Sequence, residues 1–241
     1  MEHTDLNGIT IVRPIINKIS LSVMIISICG FSMFLSLFAA DLPLDSFPIV
    51  LNNTKIDKGP WKIVMGSNEM FAVSKEAERY VLHAFTTGKN FCVAKKVSLS
   101  LSAFPILTWA WKTVVLPLGG REDTKKKNDS AAGIIIGMRC GLTFHAIKYV
   151  WSSSLPQGSL VQDEPDAFDR VIVLQSGKEL CGTWVRQKVN LRQDIRRCFG
   201  DSWNAVDAVS IMTDSDNTHS TAEAFYTDIT FMADSIANTH L

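Results

Sequence analysis

The chain has no surplus of charge of either sign, and this excludes one broad class of partner. Lys and Arg total 24, as do Asp and Glu. Residues 1–40 hold Glu2, Asp5, Arg13 and Lys18, so the rest of the chain is balanced as well. Nucleic-acid binders carry a basic excess, and no nucleic-acid partner is expected. Catalytic signatures are also missing. There is no GxSxG, HExxH, GxGxxG or phosphate-binding loop, and Ser176-Gly177-Lys178-Glu179 lacks the earlier Gly and following Ser or Thr of the last. No two cysteines stand in CxxC spacing, which argues against a zinc or dithiol redox site. Internal repeats and low-complexity tracts are absent.

What is present begins with one long apolar segment. Ile19–Ala40 holds no charge, follows Arg13 and Lys18, and ends at Ala39-Ala40-Asp41. About 20 apolar residues suit a bilayer-spanning helix, whereas a signal peptide uses roughly 7–15. Residues 1–40 are therefore a signal peptide or a transmembrane anchor. Both readings place the remainder outside the cytoplasm: periplasmic, secreted, or anchored to the inner membrane through residues 19–40. Residues 41–60, with Pro43, Pro48 and Pro60, read as a linker. Cys92, Cys140, Cys181 and Cys198 follow; they allow two disulfides in three connectivities, or serve as small buried apolar residues.

From Trp61 to Leu241, short apolar runs alternate with turn residues, the pattern of an all-β sandwich. Strands are expected near 61–65, 80–85, 91–101, 105–115, 131–138, 143–151, 171–174, 183–189, 206–212 and 224–231. Residues 74–84 read equally as helix or strand. One helix is expected: Asn190 caps it, Leu191, Ile195, Cys198 and Phe199 form its apolar face, and Gly200 ends it.

Two groups of residues are candidates for binding. Asp214, Asp216 and Asn217 lie within four positions, and Asp228 follows on the last strand. Calcium takes six to eight oxygen ligands, which such a loop supplies; the alternative is a turn whose Asp and Asn side chains bond their own backbone. The loop is not an EF-hand, since its sixth position is His219 and its twelfth Phe225. Phe225, Thr227, Ile229 and Phe231 are expected on one strand face. The aromatic candidates are Trp109, Trp111, Trp151, Trp184 and Tyr226. Exposed rings of this kind stack on sugars; buried, they fill a core. Trp184 alternates with Arg186 and Lys188 and is the best exposed candidate. The charged run Arg121–Lys127 and Arg192, Arg196 and Arg197 read as solvated, with an anionic polymer or lipid as the sharper option.

Five phrases carry a family resemblance: Pro105–Lys112, Asn128–Ala132, Tyr149–Ser152, Phe199-Gly200, and Ile211–Thr218 leading to Tyr226–Ile229. Together they resemble domain of unknown function 3047, over roughly Trp61 to Phe231. The resemblance implies an exported bacterial envelope protein, mostly β, built as a jelly roll similar to carbohydrate-binding modules, with no assigned activity. Two positions depart from the family pattern: His219 and Thr227 stand where a Gly would suit.

The expected whole is an all-β, jelly-roll-like β-sandwich with one short helix, preceded by an N-terminal hydrophobic helix. Its expected role is non-catalytic binding of a polysaccharide or another envelope component, with a structural calcium. A hydrolase acting on an envelope polysaccharide, drawing on acids such as Asp129 and Asp228, and a protein-binding scaffold are the alternatives.

Overall fold

Alternation along single strands sets the architecture. In Ile106–Val115, Leu107, Trp109, Trp111 and Thr113 fall on one side and are fully buried, while Thr108 and Lys112 fall on the other and are half-exposed. A computed structural model describes residues 46–49, 59–141, 143–162, 170–200 and 203–234. The leader 1–40, the membrane segment 19–40, Cys29 and most of the 41–60 linker lie outside these. No described helix is long and apolar enough to cross a membrane.

The strands are β1 (Ser46–Pro48), β2 (Trp61–Met65), β3 (Phe71–Glu76), β4 (Arg79–Thr87), β5 (Asn90–Ser100), β6 (Ile106–Val115), β7 (Ala132–Cys140), β8 (Thr143–Ser152), β9 (Leu160–Val161), β10 (Arg170–Ser176), β11 (Val185–Asn190), β12 (Ala205–Asp214) and β13 (Thr221–Met232). Among the described residues one α-helix, α1 (Leu191–Phe199), follows β11. One sheet runs β11-β6-β13-β4-β3, with β1 pairing the end of β13. The other runs β2-β5-β12-β7-β8-β10-β9. Every pairing is antiparallel except β8 with β10. The fold is thus an all-β sandwich of two sheets with one short helix, as the alternation predicts.

Aromatic side chains join the sheets. Trp109 meets Tyr149 at 5.6 Å between ring centres, and Trp111 meets Trp151 at 6.2 Å. Tyr226, on β13, reaches into the second sheet. Its hydroxyl donates to the Met212 carbonyl at 2.6 Å and lies 2.7 Å from the Thr213 hydroxyl. The helix buries Leu191, Ile195 and Cys198; the Asn190 side chain accepts from the Gln193 amide, and the Gly200 amide donates to the Arg196 carbonyl.

Several expectations need correction. Residues 74–84, open between helix and strand, are strand: Ala77, at φ +53°, turns a tight hairpin between β3 and β4. Strands β1, β3 and β9 have too little apolar alternation to stand out in sequence. Phe225 does not share a face with Ile229 and Phe231. A bulge between Thr227 and Thr230 reverses the alternation, so Ala224, Tyr226, Ile229 and Phe231 all point inward. Cys92, Cys181 and Cys198 are free thiols, the first and last buried, so no disulfide joins them. His219 does take the left-handed conformation that a Gly would suit, at φ +52°.

The indoles differ in one testable respect. Trp151 donates its Nε1–H to the Gly177 carbonyl at 3.0 Å, whereas Trp109 Nε1 is buried without a partner. Trp109→Phe loses contact area but also removes an unsatisfied donor; Trp151→Phe leaves a carbonyl unpaired. Denaturant unfolding is expected to find Trp151→Phe more destabilising by about 1–2 kcal/mol. Equal losses would contradict this assignment of the two donors.

Candidate functional site

The first candidate site lies where β12 ends. Asp214 closes that strand, and residues 215–220 turn back into β13. The turn is tied to the β4–β5 hairpin: the Ser215 amide donates to the Lys89 carbonyl, and the Asn90 side-chain amide donates to Asp216 at 2.7 Å. Asp129 closes it from the loop before β7, accepting from the backbone amides of Asn217 (3.1 Å) and Thr218 (2.7 Å). Oxygens of Asp129, Asp214 and Asp216 all fall within 4.8 Å of one another. Asp129 and Asp214 are buried, and Asn217 Oδ1 has no hydrogen-bond partner. Burial pushes the Asp214 carboxyl up to about 7, against the opposing pull of Lys148; Asp216 and Asp129 push it further up.

Beneath this loop lies a buried polar network. Lys148 is 1% exposed, and its charge acts on both Asp214 and Glu122. Glu122 accepts from the hydroxyls of Ser152 (2.6 Å) and Ser130 (2.9 Å), and burial raises its pKa. Arg121–Lys127 is therefore not a wholly solvated run: Glu122 is fully buried and pins the loop to β8.

The second candidate site is the outer face of the first sheet. Lys112 pairs with Phe225, and Phe225 with His83, in one row crossing β6, β13 and β4. Trp184, one residue before β11, sits at the head of that row. The Lys112 ammonium lies over both Phe225 (4.2 Å) and Trp184 (5.2 Å), and the Arg79 guanidinium lies 5.2 Å from the Trp184 ring centre. His83 stacks on Phe225 at 4.2 Å and bonds Glu223 at 2.8 Å. Asp228, at the bulge with φ +55°, accepts from Arg186 at 3.1 Å and lies 3.7 Å from Arg79.

The sequence candidates thus separate. Trp184 is half-exposed on the outer face. Trp109, Trp111, Trp151 and Tyr226 are fully buried between the sheets, so no ring face is open to a ligand, and their assignment as binding residues is corrected. Asp214, Asp216 and Asn217 share the terminal turn. Asp228 does not complete it, because the bulge turns its side chain to the two arginines. Asp129 takes that place, and its distance of 85 residues from Asp214 hid it from any local pattern. Lys112, Phe225, His83 and Glu223 were missed as a group, since only strand register brings them together.

The family model described as "Protein of unknown function (DUF3047)" matches residues 60–230, and the chain belongs to that family. No curated protein matches it. Solved structures similar to it include a family 11 carbohydrate-binding module of the cellulosomal cellulase Lic26A-Cel5E of Clostridium thermocellum (10% identity, 80% of this chain and 97% of that one, TM-score 0.37). The xyloglucanase domain of NopAA, a type three effector from Sinorhizobium fredii, solved with cellobiose, matches at 12% identity over 72% of this chain and 93% of that one, TM-score 0.39. A family 29 carbohydrate-binding module from Piromyces equi matches at 10% identity over 81% and 94%, TM-score 0.34. These likenesses are remote, and the two-sheet architecture stands on the strand pairing itself.

The Asp214 environment sets a pH dependence. Its carboxyl holds a proton up to about pH 7 when folded but only to its ordinary 3.8 when unfolded. The folded state therefore binds more protons between those values, and this contribution to stability falls as pH rises through that window. Between pH 5 and pH 8 without divalent cations, Asp214→Asn is expected to lose about 2 kcal/mol less than the wild type in denaturant unfolding. Parallel pH profiles would contradict the assignment.

Proposed function

We propose that this member of the DUF3047 family is a non-catalytic, exported or membrane-anchored β-sandwich that binds a polysaccharide on the outer face of its first sheet. The observation that carries this reading is the row Trp184, Lys112, Phe225 and His83. Sugars offer C–H faces to aromatic rings and hydroxyls to charged and amide groups. Here Trp184 and Phe85, the latter 46% exposed, stand beside Glu223, Asp228 and Arg186. A rigid sheet holds these groups without further ordering on binding. Export or anchoring rests on the 19–40 segment.

We also propose that Asp129, Asp214 and Asp216 hold a calcium ion, with Asn217 Oδ1 a further oxygen ligand. Charge supports this. Asp129, Asp214, Asp216 and Glu122 stand against the single buried ammonium of Lys148. A divalent cation would offset the burial, and the added carboxylate repulsion, that raise Asp214.

Two measurements test these readings. In affinity electrophoresis against a panel of neutral and acidic polysaccharides, Trp184→Ala is expected to reduce retention about tenfold while melting like the wild type. Retention of neither protein by any polymer would overturn the binding assignment. Calcium at a hundredfold excess over its dissociation constant should stabilise the fold by roughly 3 kcal/mol. That gain should vanish in Asp214→Asn and persist in Asp228→Asn. Melting unchanged by calcium or EDTA would reduce the acidic turn to its hydrogen bonds.

A further inference from the structure

We propose that the polysaccharide taken by this face is acidic, carrying carboxylate groups that meet Lys112 and the Arg79–Arg186 pair; this rests on the binding reading above. The rings of this face already hold cations. Phe225 pairs with Lys112 on β6 and His83 on β4, with the ammonium 4.2 Å from its centre and the imidazole stacked on it at 4.2 Å, nearly parallel. A sugar would have to compete with these contacts for the ring. Trp184 in turn has Lys112 and Arg79 each 5.2 Å from its centre. The rings hold and orient cations more than they offer a flat stacking surface.

Those cations outnumber the acids beside them. Among the described residues no carboxylate lies within salt-bridge distance of Lys112. Arg79 and Arg186 share the one carboxylate of Asp228, at 3.7 and 3.1 Å. Glu223, the next acid along β13, is bonded to His83. Lys188 alternates with Arg186 on the same strand, and Glu76 stands opposite Arg79 across the β3–β4 hairpin. On this face Lys112, Arg79, Arg186 and Lys188 stand against Asp228, Glu223 and Glu76, within a chain whose total charge is zero. Cation–π contacts lower the cost of holding an ammonium half-buried but leave its N–H donors free for an anion. Lys112 and Trp184 lie on adjoining strands, so one sugar ring at Trp184 can direct its carboxylate to Lys112 while the next meets Arg186.

The test compares polymers that share a backbone and differ in charge: polygalacturonate and its fully methylated ester, and alginate and its propylene glycol ester. Wild-type protein is expected to be retarded by at least one acid form and about tenfold less by the matching ester. Lys112→Met keeps the side-chain stem and should lose about tenfold in affinity for the acid form only. Lys62→Met, on β2 of the other sheet, should behave as wild type. Binding should weaken as salt rises. Equal retention by acid and ester overturns the acidic assignment and leaves the glycan reading standing. Equal losses in Lys112→Met and Lys62→Met, or no retention by either acid polymer, also overturn it. Failure of every neutral and acidic polymer overturns both.

Discussion

The contact of Trp109 and Trp111 with Tyr149 and Trp151 is the constraint on which the rest of the structure depends. Four large rings close the space between the sheets, where each buries about 150–250 Å². Because side chains alternate along a strand, the inward Trp109 and Trp111 force Lys112 outward from β6. Tyr226 does the same on β13 and places Phe225 outside. The proposed binding row is thus the reverse side of the core. A sequence rich in tryptophan buries most of it in the core, and Trp184, just before an edge strand, is half-exposed on the outer face.

The bulge in β13 divides the acids between two sites. With strict alternation, Asp228 would keep the phase of Tyr226 and enter the sandwich. The left-handed turn at Asp228 carries it to Arg79 and Arg186 instead and restores Ile229 and Phe231 to the core. The terminal turn therefore takes its third carboxylate from Asp129. That cluster gathers three carboxyl groups near Lys148 at one end of the second sheet, while Asp228 serves Arg79 and Arg186 on the outer face of the first.

Much of the fold was legible because it is written locally. Alternation marked β5, β6, β8, β12 and the core rings, and the Asn190 cap with Gly200 marked the helix to the residue. The left-handed His219 followed from the position where a Gly would suit. The five motif phrases led to the family that the match over residues 60–230 shows. What escaped was long-range. Nothing near Asp129 signals its bond to Thr218, nothing near Glu122 announces a buried carboxylate, and Lys112 looks like an ordinary exposed lysine until strand register sets it against Phe225 and Trp184. The bulge depends on tertiary packing, so alternation read through it put Phe225 on the wrong face.

The central claim is that the inner aromatics are structural and the outer row binds. Indole N–H signals in a heteronuclear NMR titration with an acidic oligosaccharide separate the two directly. The account predicts that the Trp184 signal shifts in proportion to occupancy while those of Trp109, Trp111 and Trp151 stay in place. Shifts confined to the buried indoles, with Trp184 unmoved, would contradict it.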